Sequence, residues 1–220
     1  HHHGEHVSIA RFYPEGTIIS SGLSKWCGAG GWRLGTFAFP QRLTWLMDAM
    51  AAAASETYSS VCAPVQYAAV RAFEGSMEIE RYLWHARRVL RAIAERIVPP
   101  LAGAQIAVMP PVGAFYLFLD FSDHADTLHE RGITSGAALC ARLLEDTGAA
   151  LLPGSAFGRP RGELTARLAY VDFDGAAALA ASETIGLSDP LPTSFLEKCC
   201  GNVVKGAERI AGWARKLQTK

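Results

Sequence analysis

Residues 21–35, SGLSKWCGAGGWRLG, place a lysine and an arginine eight positions apart among five glycines, with no carboxylate between them. Like charges held that close repel, so the segment suits an anionic partner. The preceding run GTIISS (16–21) is rich in β-branched residues and predicts a short buried strand leading straight into the glycine turn. A strand followed by glycines invites comparison with nucleotide-binding turns, but the spacing disagrees. Gly28, Gly30, Gly31 and Gly35 form no G-x-G-x-x-G with a helix directly after it and an acid about twenty residues on, and Lys25 precedes the glycines instead of following them as G-K-[ST].

A lysine amine at the end of a strand is suited to carbonyl chemistry, and the planar fork of Arg33 to a phosphate. One small molecule that carries both an aldehyde and a phosphate is pyridoxal 5′-phosphate.

Further along, Pro40 opens a predicted helix through Ala54, with Leu43, Leu46, Met47 and Met50 on one face. Pro64 opens another over VQYAAVRAF. Residues 74–98 predict a long amphipathic helix with Ile79, Leu83, Val89, Leu90, Ile93 and Ile97 on its apolar side, ended by Pro99 and Pro100. Beyond the prolines the elements alternate. FYLFLDF (115–121) reads as a strand, 135–148 as a helix closed by Gly148, and 149–154 and 167–173 as strands. A helix follows Asp174 as its N-cap, and another spans about 195–217. The expected class is α/β, in two parts: 1–75, and 76–220 with the long helix and a smaller domain. One strand and two helices in the first part are too little sheet for an independent domain, so the expectation is a chain that begins partway through a gene product.

The 21 basic and 21 acidic residues cancel, which leaves no electrostatic footprint for nucleic acid or an anionic membrane. No apolar run reaches the roughly 18 residues of a membrane span. Five cysteines without metal-ligand spacing fit a reduced, cytoplasmic protein. The opening HHHGEH reads as an exposed cluster without a metal role, and His85, His124 and His129 as solvated.

Gly22-Leu23-Ser24-Lys25, two free positions, Gly28-Ala29, one free, Gly31, one free, then Arg33-Leu34-Gly35 resembles the lysine signature of class I aminotransferases, pyridoxal-phosphate enzymes of fold type I. PPVGAFYLF, LLPGSAFG and ARLAYVDFDG resemble that family's small-domain strand, proline-glycine loop and carboxylate-binding segment, in the family's order. The resemblance implies the end of a large cofactor-binding domain (1–75), then the connecting helix and small domain (76–220), acting as a homodimer.

It also implies roles for individual residues. Lys25 would carry the cofactor covalently and shuttle the substrate proton, while Arg33 would hold the phosphate. Ser21 and Ser24 are candidate phosphate donors; the family often has serine where Gly22 stands, and Ser21 is a possible substitute. Arg167 would grip the substrate α-carboxylate, the rival being a salt bridge to Glu163 or Asp172. Phe115 and Tyr116 would line the substrate pocket or the core. Tyr58, Ser59 and Ser60 fall where relatives reach toward the partner's site. The family's aspartate and tyrosine beside the cofactor ring precede the lysine by more than the 24 residues here.

The implied reaction exchanges amino and keto groups between an L-amino acid and a 2-oxo acid, with aspartate the default donor. However, no arginine lies between Arg42 and Arg71 to read a second carboxylate. A lyase on the same cofactor and a non-catalytic fragment remain as alternatives.

Overall fold

The computed structural model describes residues 6–218, so the opening histidines up to position 5 lie outside the described residues. The chain divides after Trp84 into two compact units.

In the first unit, β1 (Ile19–Gly22) runs into the single-turn helix α1 (Leu23–Trp26), and β2 (Gly35–Ala38) returns antiparallel to β1, pairing Ile19 with Ala38 and Gly22 with Gly35. Then come α2 (Thr44–Thr57) and α3 (Ala63–Glu74), the latter with Pro64 in its first turn, where a missing N–H costs nothing. Leu23, Leu34, Val65 and Ala69 form a small core, and the Trp26 and Phe73 rings meet at 5.6 Å. The expected buried strand is displaced and open. A 3₁₀ turn occupies Pro14–Gly16, and Ile19 is 46% exposed, because β1 pairs only with β2 among the described residues. Likewise the apolar face of α2 buries no residue.

The long helix α4 (Met77–Ala102) crosses the division and continues through Pro99 and Pro100 instead of ending there. Both prolines sit in the last turns, where each removes a donor but keeps its acceptor; the Gly103 amide still donates to the Pro99 carbonyl at 2.9 Å.

The second unit is a four-stranded, wholly antiparallel sheet in the order β3 (Ala107–Val108), β4 (Tyr116–Asp120), β6 (Thr165–Ala169), β5 (Leu152–Pro153). Around it lie α5 (Ala125–Glu130), α6 (Gly136–Thr147), α7 (Gly175–Glu183), α8 (Thr193–Cys199) and α9 (Gly201–Gln218). Strand alternation sends Leu117 and Leu119 of β4 and Ala166 of β6 into one core with Ile93 and Ile97 of α4, Leu139 and Leu143 of α6, and Ile210 of α9. Ser135 and Asp174 cap α6 and α7 by accepting from the Ala138 and Ala177 amides, and Gly148 closes α6 in the left-handed conformation. The expected last helix is two, broken where buried Cys200 leaves helical geometry.

Two of the histidines expected in solvent are buried. His85 Nδ1 meets the Ser182 hydroxyl at 2.8 Å, and His124 donates from Nε2 to the Ala104 carbonyl at 2.9 Å. Buried Arg88, one turn after His85, donates to the carbonyls of Ser182, Ile185, Gly186 and Asp189, satisfying the chain as it leaves α7.

Candidate functional site

Both cations of the glycine turn lie on one loop, residues 23–34, pinched at its neck by the Gly22–Gly35 pair. The Leu23 amide donates to the Leu34 carbonyl at 3.3 Å, and a Cβ on Gly22 would approach that same oxygen to 3.0 Å. The Ala29 amide folds the loop back onto the Leu23 carbonyl at 3.1 Å. Gly28 turns with φ +64°, and a side chain there would meet the Tyr82 hydroxyl at 3.0 Å. Burial, together with the Cys27 thiol, pushes the Tyr82 hydroxyl upward in pKa, so it stays neutral beside the turn.

Lys25 is exposed in the last turn of α1. Arg33 is exposed too and is held in the left-handed region at φ 54°, a strained place for a residue with a Cβ. Its guanidinium donates to the Gly30 carbonyl at 3.0 Å.

Arg33 lines a cleft of about 650 Å³ together with Gly28, Trp32, Tyr58, Ser60 and Cys62. No carboxylate lines it, so an anion entering would meet one guanidinium and two hydroxyls. Lys25 is not among the lining residues, nor are Ser21, which pairs with Thr36 in the hairpin, and Ser24, on α1. The hydroxyls that share the cleft with Arg33 are those of Tyr58 and Ser60, on the same chain. By resemblance these residues fall where relatives reach toward a partner's site; here they line the cleft of Arg33 in their own chain.

Arg167 belongs to the second unit. It stands mid-strand in β6, opposite Phe118 of β4 on one side and Leu152 of β5 on the other. Its guanidinium carbon lies 4.3 Å from the centre of the Tyr116 ring and 4.0 Å from that of Phe157. Among the described residues no carboxylate lies within salt-bridge range of it. Glu163, one expected rival, is taken by Arg159 at 2.7 Å. Phe115 is half-buried against the core, its ring 4.5 Å from that of Tyr116. The backbone there is pinned by Tyr170: its hydroxyl donates to the Ala114 carbonyl and its amide to the Phe115 carbonyl, both at 3.1 Å. Phe157 falls in the LLPGSAFG segment, but its place over Arg167 depends on the turn after β5 and could not be read from the sequence.

Residues 4–172 match the family model for aminotransferase class I and II. The chain belongs to this family. It is 35% identical over 184 residues to an aspartate aminotransferase of Geobacillus stearothermophilus, covering 82% of this chain and 42% of that protein. It is 33% identical over 170 residues to an aspartate aminotransferase of Bacillus sp. (strain YM-2), covering 76% and 40%. Among solved structures, an aspartate aminotransferase from Thermus thermophilus with maleate superposes at a TM-score of 0.69 and 25% identity, covering 95% of this chain and 44% of that one. The aromatic aminotransferase from Pyrococcus horikoshii gives 0.68 and 25%, covering 97% and 48%. The chain thus spans about two fifths of the length of these curated relatives, and its α/β fold corresponds to a C-terminal portion of the fold type I transferase architecture.

Family membership implies pyridoxal phosphate, and the donors on the loop fit it. An amine can capture an aldehyde, a guanidinium can take a phosphate, and a cleft lined by two hydroxyls and no acid repels neither. No helix among the described residues is long and apolar enough to cross a membrane.

Proposed function

We propose that the protein carrying this chain exchanges amino and keto groups between an L-amino acid and a 2-oxo acid with pyridoxal phosphate, in the cytoplasm and as a homodimer. The observation that carries this reading is the pinched loop that holds an amine and a guanidinium eight residues apart, the guanidinium facing an acid-free cleft. When bound, the cofactor supplies an aldehyde to capture the amino group and a conjugated ring that draws electron density from the α-carbon. Lys25 would hold the cofactor covalently, then take the α-proton on its amine and return it. Arg33 would hold the phosphate, with Tyr58 and Ser60 as further donors in the same cleft. Arg167 would grip the α-carboxylate through two parallel N–H donors, and Phe115 would stand beside the substrate.

The similar proteins named above favour aspartate as donor, although the chain lacks an arginine between Arg42 and Arg71 for a second carboxylate. The two units would divide these tasks: the one up to Trp84 would hold the cofactor, and the one from His85 onward the substrate.

The test uses the protein from its complete reading frame, with 2-oxo acids as acceptors. Amino transfer should depend on the oxo acid and release no ammonia, and Lys25→Ala should lower it by at least the roughly 10²–10⁴-fold of general acid–base catalysis. Ammonia release without an acceptor would point instead to a lyase, and wild-type turnover in Lys25→Ala would overturn the reading.

A further inference from the structure

We propose that Tyr116 and Phe157 are positioning residues that orient the Arg167 guanidinium for a carboxylate without consuming any of its N–H donors. This rests on the reading of Arg167 as the carboxylate grip and names the groups that make it one.

Strand geometry supplies the first ring. Phe118 pairs directly with Arg167 and Tyr116 with Ala169, so Tyr116 is the diagonal neighbour of Arg167 on the same sheet face, within reach of a long side chain. Leu117 and Leu119 alternate to the other face and anchor β4 in the core, which fixes where Tyr116 stands.

The second ring comes from a turn. After β5, residues Gly154–Phe157 make a 3₁₀ turn that ends at Gly158 with φ 83°. Gly154 lies so close to the sheet that a Cβ there would fall 2.0 Å from Thr165 Oγ1 and 3.1 Å from Phe118 Cζ. The missing side chain lets the turn settle on β6 and bring Phe157 to 4.0 Å from the guanidinium.

The chemistry explains why rings serve here better than an acid. A resident carboxylate would occupy the guanidinium fork and compete with the substrate. An aromatic ring attracts the cation through its quadrupole and leaves the N–H groups available. Among the described residues neither a carboxylate nor a hydrogen-bond acceptor engages the Arg167 side chain, so its five donors remain for an incoming carboxylate.

The experiment uses protein from the complete reading frame, free of cofactor, and measures propionate against propionamide binding by calorimetry. Phe157→Leu and Tyr116→Leu should each weaken propionate binding about fivefold and leave propionamide unchanged, the size expected of one cation–π contact. Phe157→Tyr and Tyr116→Phe, which keep the rings, should stay within about twofold of the parent. With the loaded enzyme, the leucine variants should raise KM for the amino acid by a similar factor and leave kcat nearly unaltered.

Should a leucine variant fail to fold, the unmodified protein still decides. The Arg167 Nε–H NMR resonance should be shifted upfield by the rings and move on adding propionate. Unchanged discrimination in folded leucine variants, or an Arg167 resonance without a ring shift, would overturn the inference. If Arg167→Ala itself kept full preference for propionate over propionamide, the carboxylate grip would fall, and this inference with it. Loss in Arg167→Ala with none in the ring variants would sink the positioning role alone.

Discussion

The two units close to very different degrees. Up to Trp84 the buried apolar residues are Leu23, Leu34, Val65 and Ala69, while Phe37, Trp45, Tyr67 and Val70 lie open. From His85 onward one cluster runs from Val89 to Leu217 and encloses side chains as large as Tyr170 and Phe121. Hydrophobic content therefore does not measure a core. What counts is whether amphipathic faces find each other, as those of α4, α6 and α9 do and that of α2 does not. The difference also sorts the chemistry. The loop cations Lys25 and Arg33 are positioned by backbone devices, a pinched neck and a left-handed Arg33, whereas Arg167 is positioned by side chains packed on a sheet with a core behind it.

The sharpest way to break that contrast is to cut one side chain from each core. Leu119→Ala removes a fully enclosed side chain of β4 and should cost about 2–5 kcal/mol. Val65→Ala, in the small core of the first unit, should cost only about 1 kcal/mol, because fewer atoms are lost and the neighbours can move in. Urea unfolding followed by circular dichroism measures both. Equal losses would show that the first unit is as tightly closed as the second.

Cysteines give a milder probe of the same difference. Cys62 of the first unit is exposed, while Cys140 and Cys200 of the second are buried, and burial pushes both thiols up to about 11. A maleimide at pH 8 should label Cys62 at once and reach Cys140 and Cys200 only through unfolding. The titration has a consequence for stability. Between the ordinary 9.0 and about 11 the folded chain keeps protons that the unfolded chain releases. Their contribution is therefore full below pH 9 and declines as pH rises toward 11. A second unit whose denaturation midpoint is flat from pH 8.5 to 11, on a scale set by about one pH unit per 1.4 kcal/mol, would contradict these burials.

What could be read from the chain followed the range of each signal. The helix over residues 136–147 was legible at both ends, since Ser135 and Gly148 act within one turn of the residues they cap. The lysine loop was legible because its glycines are a local necessity; Gly28 at φ +64° beside Tyr82 is one such case. Tertiary partners were not. His85 and His124 look polar in their own neighbourhoods and are buried against hydrogen-bond partners 97 and 20 residues away. The open face of β1 and the run of α4 through two prolines likewise depend on what packs nearby, not on propensity. Phe157 illustrates the limit best. Nothing near it in the chain says that it will sit over an arginine ten residues on, because that depends on a glycine fitting against a threonine across the sheet.

That threonine supports the last and smallest prediction. Thr165 is 3% exposed, and its hydroxyl is the one buried side-chain polar atom among the described residues without a hydrogen-bond partner. It lies directly under Gly154, where a Cβ would approach Oγ1 to 2.0 Å. A buried hydroxyl that makes no bond has given up water for nothing, a cost of about 1–3 kcal/mol, part of which an apolar group of the same shape restores. Valine keeps the branched outline of threonine, so Thr165→Val should preserve the seat of the turn and stabilise the protein by up to about 1 kcal/mol, a rise in Tm of roughly 2–4 °C. Because the turn carries Phe157, carboxylate binding in this variant should match the parent. A lower Tm would mean that the hydroxyl has a partner after all, and weaker carboxylate binding would mean that it helps to seat the turn over Arg167.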